Sequence, residues 1–198
     1  FHPSPDKKLW REKYGIPEKD TVLLSVGRLT PAKQPHTLIK VFSYIERKIP
    51  DVTLCIVGKG ELFDNIKNLA DKWRLRKVLF LGYVDHDDVF ALYNCADYFI
   101  ITSKYEGGMP VLTVAEAMAS GLPCIVSNIP NLEFIRDADC GIIVDFSDPI
   151  RASNTILDYL HKGSLHQQKN AREYAVNYLD WKIISKKYLQ VMEMLCDR

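Results

Sequence analysis

The stretch DYFIITSKYEGGMPVLTVAEAMASGLPCIVS, residues 97–127, decides the fold. Its first part, DYFIITS (97–103), is a short apolar run that reads as a buried strand. A loop with two adjacent glycines follows. PVLTVAEAMASG (110–121) then reads as a helix with a glycine stop, and PCIVS (123–127) as another strand. Strand, helix and strand in that order make a βαβ unit, whose two strands lie parallel.

The same pattern extends in both directions. TVLLSVG (21–27), VTLCIVG (52–58) and KVLFLG (77–82) are apolar runs closed by glycine, and CGIIVD (140–145) is a further strand. Between the first two, Leu38, Ile39, Phe42, Ile45 and Ile49 recur at helical spacing until Pro50. GELFDNIKNLADKW reads as a helix, as does DHDDVFALYNCA with Asp85 as its N-cap. Three helical segments, near 148–161, 164–177 and 180–195, close the chain. The expected fold is α/β: one domain over 1–198, a Rossmann-like three-layer sandwich around a parallel sheet of about six strands. Such sheets bind ligands beyond the carboxyl ends of their strands, where strand order reverses. Loops 27–35, 58–61, 82–87 and 103–110 are therefore expected to share one edge. There is no internal repeat and no low-complexity segment.

Composition narrows the function. The chain has 198 residues, 47% hydrophobic and 26% charged, with a formal net charge of +1. Lys and Arg are scattered, which speaks against nucleic acid as a partner. The five cysteines, Cys55, Cys95, Cys124, Cys140 and Cys196, show no short metal or redox spacing and read as small core residues in a reducing compartment. No apolar run is long enough to span a bilayer. The chain starts at Phe1, which is read as a cut from a longer protein.

The chemistry gathers in the loops. In VGRLTPAKQP, Arg28 follows a strand-ending glycine, Gly27, and Lys33 stands near the next helix start. Two cations beside a helix N-terminus suit a diphosphate, although two solvated surface cations would look alike. In VGKGE, Gly58 and Gly60 let the backbone approach a ligand, a common and weak signal. In LGYVDHDDV, extended backbone at Tyr83 and Val84 suits a nucleobase edge. His86 there reads more simply as part of a capped helix start.

Glu106, followed by Gly107 and Gly108, offers a carboxylate and free amides to a polyhydroxyl ligand. Glu116, set among Ala115, Ala117, Met118 and Ala119, is expected to be half-buried and to need a partner. A ribose diol, a backbone group or a cation would serve. No serine elbow, phosphate-binding P-loop or metal-ligand spacing appears, and no metal is expected.

In order and spacing, VGRLTPAKQ, IVGKGE, FLGYVDHDDVFALYNCADYFIITSKYEGG and EAMASGLPCIVS resemble the C-terminal half of the GT-B fold in the retaining family 4 (group 1) glycosyltransferases. The resemblance runs from about Asp20 to Phe146 and more loosely to the closing helix around Trp181. It implies a nucleoside-diphosphate sugar donor, a UDP- or GDP-sugar, and no other cofactor. It gives Arg28 and Lys33 the diphosphate, Tyr83, Val84 and His86 the base, and Glu116 the ribose. Glu106 and the amides of Gly107, Gly108 and Met109 fall to the sugar and its phosphates, with Pro110 opening the helix.

The family separates its two glutamates by seven residues, whereas nine lie between Glu106 and Glu116. Either the loop is longer and Glu106 still reaches the sugar, or backbone alone serves there. The resemblance further implies an N-terminal acceptor-binding domain outside this chain, an inactive isolated domain, and a partly exposed last helix. The location it implies is cytoplasmic, at the membrane face if the acceptor is a lipid or lipid-linked glycan. A nucleotide-sugar epimerase of the same fold and a non-catalytic nucleotide-sugar-binding module are the alternatives.

Overall fold

A computed structural model describes residues 1–108 and 111–196, with backbone alone at 86 and 87. Helix α1 (Lys7–Lys13) leads into strand β1 (Thr21–Val26), helix α2 (Pro35–Glu46) and strand β2 (Val52–Val57). Then come α3 (Phe63–Lys72), β3 (Val78–Gly82), α4 (His86–Cys95), β4 (Tyr98–Ile100), α5 (Leu112–Ala119) and β5 (Cys124–Ser127). The chain continues with α6 (Phe134–Asp137), β6 (Gly141–Val144), α7 (Pro149–Lys162) and α8 (Leu165–Tyr174), and ends in α9 (Trp181–Cys196). The sheet has the order β3-β2-β1-β4-β5-β6, and all its pairs are parallel. The α/β, Rossmann-like architecture read from the sequence is the one observed.

Alternation along each strand builds two cores, because successive side chains point to opposite faces. Val22, Leu24, Phe99, Cys124 and Val126 pack with Tyr93 of α4, Val114, Ala117 and Met118 of α5, and Ala171 of α8. Leu23, Leu54, Ile56, Ile100 and Ile125 face the other way, onto Ile39 and Phe42 of α2, Ile66 of α3 and Ile156 of α7. Four cysteines are buried in this frame, and burial pushes the Cys55 and Cys95 thiols up to about 12 and that of Cys140 to about 11. These thiols stay protonated and behave as apolar side chains.

Three boundaries differ from the sequence reading. Strand β4 is three residues long where 97–103 was expected. β1 pairs with it only through Leu23 and Leu24, then runs on to Val26 while the chain after β4 turns away. The two strands thus part at their carboxyl ends, and the strand order reverses at this same place. Helix α5 starts at Leu112, and Pro110, expected to open it, lies outside the described residues along with Met109. The single helix expected over 164–177 is α8 followed by a π-helical turn, Ala175–Leu179. The stop of α5 follows expectation: Gly121 has φ +78 and its amide reaches the carbonyl of Met118 at 2.9 Å.

No residue of α9 is buried, and Trp181, Tyr188, Leu189, Met192 and Leu195 are exposed. Among the described residues no helix is long and apolar enough to cross a membrane.

Candidate functional site

The loops after β1, β2 and β3 are bonded into one rim. The Gly27 amide donates to the Val57 carbonyl at 3.0 Å, the Leu29 amide to Lys59 at 3.0 Å, and the Gly58 amide to Gly82 at 2.7 Å. A Cβ on Gly58 would stand 2.0 Å from the Gly27 carbonyl oxygen, and its φ is +129. The close approach that Gly58 permits among the described residues is to the neighbouring loop.

A cleft of about 420 Å³ opens where β1 and β4 part. Ser25, Val26, Gly27, Arg28 and Lys33 line one wall, and Thr102, Ser103, Glu106 and Gly108 the other. The sequence placed Arg28, Lys33 and Glu106 in two separate loops, and the fold brings them to one hollow. Arg28 is exposed. Lys33 is held at both ends. Its carbonyl accepts the Thr102 hydroxyl at 3.0 Å, and its ammonium donates to Glu106 Oε2 at 2.5 Å. Thr102 also donates to the carbonyl of Gln34, a left-handed residue (φ 49) directly before the Pro35 that opens α2.

Glu106 is buried, 9% exposed, with the hydroxyl of the buried Ser103 donating to its Oε1 at 2.6 Å. Asn131, from the loop after β5, donates to the carbonyls of Glu106 at 3.0 Å and Gly108 at 3.3 Å, which ties down the glycine loop. A buried carboxylate is stable only with such partners.

Glu116 is half-buried, as its alanine-rich surroundings suggest. Its Oε2 accepts the hydroxyl of Tyr93 at 2.9 Å. Burial first, and then the adjacent carboxylate, hold the Tyr93 phenol well above its ordinary range, so it remains a donor. Glu116 faces a second hollow of about 530 Å³, with Phe1, Arg172 and Trp181 on its walls, and Leu112 borders both hollows. Glu116 is thus next to the cleft of Arg28 and Lys33 without sharing it.

Tyr83 is 70% exposed and Val84 half-buried, and neither lines either hollow. The side chain of His86 lies outside the described residues, as does Met109. Gly107 is exposed, and only Gly108 of the pair borders the cleft. Ser103, Thr102, Asn131 and Tyr93 escaped sequence reasoning, since each matters through a partner distant in the chain.

Among the described residues no three His, Cys, Asp or Glu side chains come together as a metal-holding group. What the cleft offers is positive charge, hydroxyls and backbone at the carboxyl edge of a parallel sheet. That arrangement suits an anionic, phosphorylated ligand.

Known proteins resemble this chain along most of its length. The family described as glycosyl transferases group 1 matches residues 6–177. The UDP-Gal:alpha-D-GlcNAc-diphosphoundecaprenol alpha-1,3-galactosyltransferase of Escherichia coli is 34% identical over 184 residues, covering 89% of this chain and 46% of that protein. The structure of sucrose-phosphate synthase from Thermosynechococcus elongatus superposes with a TM-score of 0.82 at 26% identity, over 100% of this chain and 50% of that one. Anabaena HepE in complex with UDP shares the fold at a TM-score of 0.80 and 23% identity, over 100% of this chain and 54% of that one. The chain spans about half the length of the curated relatives it matches. On these grounds the chain belongs to the group 1 glycosyl transferases and has the fold of the C-terminal domain of their GT-B architecture.

Proposed function

We propose that this chain is the donor-binding domain of a retaining hexosyltransferase and takes a UDP-sugar. One observation carries the reading: Arg28 and Lys33 converge on the cleft where β1 and β4 separate. In a transfer of this kind the nucleoside diphosphate leaves, and negative charge grows on its β-phosphate as the glycosidic bond breaks. Arg28 can bind two phosphate oxygens at once, and Lys33, fixed by Thr102 and Glu106, adds a placed point charge. Charge placed in advance where it develops is the main means of electrostatic catalysis. Glu116, oriented by Tyr93, is assigned the ribose hydroxyls, with the base near Tyr83, Val84 and His86.

Uridine is the base we assign, because the relatives named above whose descriptions give a nucleotide carry uridine. A GDP-sugar, the other donor class the resemblance implies, has no such support. Arg28 and Lys33 would supply the charge that other sites take from a divalent cation. UDP binding that required Mg²⁺ or Mn²⁺ would count against that assignment. The acceptor, a lipid-linked or free glycan, is assigned to a further N-terminal domain, in keeping with the chain's span of about half its relatives. We place the work on the cytoplasmic side, at the membrane face for a lipid acceptor. The chain alone is then expected to bind donor and transfer little.

Calorimetric titration of UDP, GDP and ADP into the chain tests the reading. We expect UDP to bind, and Arg28→Ala and Glu116→Ala each to weaken it by about tenfold or more while the fold holds. Affinity unmoved by both substitutions would sink the site assignment. Sustained turnover by this chain alone would sink the division of labour between domains.

A further inference from the structure

We infer that Thr102 is a positioning residue for the donor's diphosphate: its hydroxyl clamps the turn that carries Lys33, and it acts on the ligand through Lys33. The inference rests on the donor-site reading above and adds one residue to it.

The backbone of the Lys33 turn carries the inference. Pro31–Lys33 is a single 3-10 turn, and Gln34 after it is left-handed, with φ 49 and ψ 50. A side chain with a Cβ disfavours that conformation on steric grounds. It persists only where the surroundings over-determine it. Here the surroundings are the segment after β4. Three successive carbonyls accept from that segment: Ala32 from the Lys104 amide at 2.9 Å, and Lys33 and Gln34 from the Thr102 hydroxyl at 3.0 and 3.1 Å. Arg28 stands outside this clamp. The amides on either side of it, Gly27 and Leu29, donate to the carbonyls of Val57 and Lys59 instead. The two cations of the cleft are thus held from opposite sides, Arg28 from the end of β2 and Lys33 from the end of β4.

Thr102 borders the cleft but is only 2% exposed. A hydroxyl has one proton. This one is shared between two carbonyls, so none remains to donate to a phosphate oxygen. Its influence on an anion therefore passes through what it holds, the Lys33 backbone. Without the hydroxyl, the left-handed turn loses a support and the Lys33 ammonium starts from a displaced backbone. A charge that must be moved into place when the ligand arrives contributes less than one already there.

The test is calorimetric titration of UDP and inorganic pyrophosphate into the wild-type chain and its Thr102→Val, Thr102→Ser, Lys33→Ala and Arg28→Ala variants, with Thr102→Val also combined with each of the last two. Circular dichroism checks each fold, and Thr102→Ala replaces Thr102→Val if the latter does not fold. We expect Thr102→Val to weaken both ligands about tenfold, and Thr102→Ser, which keeps the hydroxyl, to stay near wild type. On Lys33→Ala the Thr102→Val change should add no further loss, because the two act as one unit. On Arg28→Ala it should again cost about tenfold. A full further loss on Lys33→Ala would overturn the inference, since Thr102 would then act directly or through the whole fold. So would a loss that vanished on both backgrounds, or a failure of Thr102→Val and Thr102→Ala alike to fold. UDP affinity untouched by Thr102→Val but lowered by Lys33→Ala would sink the role of Thr102 and leave the donor site standing. If pyrophosphate binds and UDP does not, the nucleotide reading fails while pyrophosphate still reads the Thr102 effect. If neither ligand binds the wild-type chain, both fail.

Discussion

The two edges of the sheet carry similar side chains and put them to opposite uses. At the amino edge Arg11 is 5% exposed and spends its guanidinium on four bonds. Three go to the carbonyls of Cys95, Glu18 and Asp20, and one to Asp97 Oδ2 at 2.7 Å. Asp97 also accepts the Val22 amide and Lys7, while Asp20 Oδ2 accepts Lys77 and Thr53. These charges fasten α1 to the starts of the strands. At the carboxyl edge, Arg28 stands exposed beside an open cleft and Lys33 shares only part of its capacity with Glu106. Charge consumed by the protein's own backbone holds a fold, whereas charge left facing a hollow is available to a ligand.

Four substitutions, the last of them read by pH titration, can break or sharpen that contrast. Arg11→Ala removes one partner of a buried pair and orphans three carbonyls. The expected loss is about 3 kcal/mol of stability in urea denaturation, with nucleotide affinity per folded molecule unchanged. Arg28→Ala should do the reverse, costing no more than about 0.5 kcal/mol in the same denaturation while UDP affinity falls. A variant at either edge that moved both quantities alike would blur the distinction.

Tyr93→Phe removes the hydroxyl that donates to Glu116 and leaves the aromatic packing in place. It should cost about 1 kcal/mol of stability and weaken UDP modestly, measured by denaturation and calorimetry side by side. An effect on stability with none on UDP would place Glu116 outside the donor site.

The smallest effect is on acid stability. Burial raises the Asp20 carboxyl, but the hydrogen bonds from Lys77 and Thr53 outweigh it and the net shift is downward. A lowered folded value means that the unfolded chain takes up the proton first. The contribution of Asp20 is therefore full above the ordinary aspartate range, near pH 4, and is lost as pH falls through its lowered folded value. Asp20→Asn should flatten that part of the stability profile. A profile as steep as wild type would show that the acid response arises elsewhere.

Much of this was legible in the chain itself, because strands and helices announce themselves by local pattern. The six apolar runs gave six strands, and the glycine, serine or aspartate at their ends marked the turns. Arg28 and Lys33 were legible since they share one loop. What escaped depends on neighbours far away in sequence. Thr102 reads as an ordinary strand residue until its hydroxyl is seen on the carbonyls of Lys33 and Gln34. Tyr93 looks like one more core aromatic until its hydroxyl meets Glu116. The run 97–103 has the composition of a full strand, yet a strand lasts only while its neighbours pair with it. Gly58 was legible as a close approach, but sequence could not say to what.

The most direct test of the central claim is an amide chemical-shift map of the chain titrated with UDP. The account predicts shifts concentrated in residues 27–34, 83–86 and 102–108 and at Glu116, with the amides of Arg11, Asp20, Val22 and Asp97 unmoved. Shifts centred on the amino edge, or scattered over both, would contradict it.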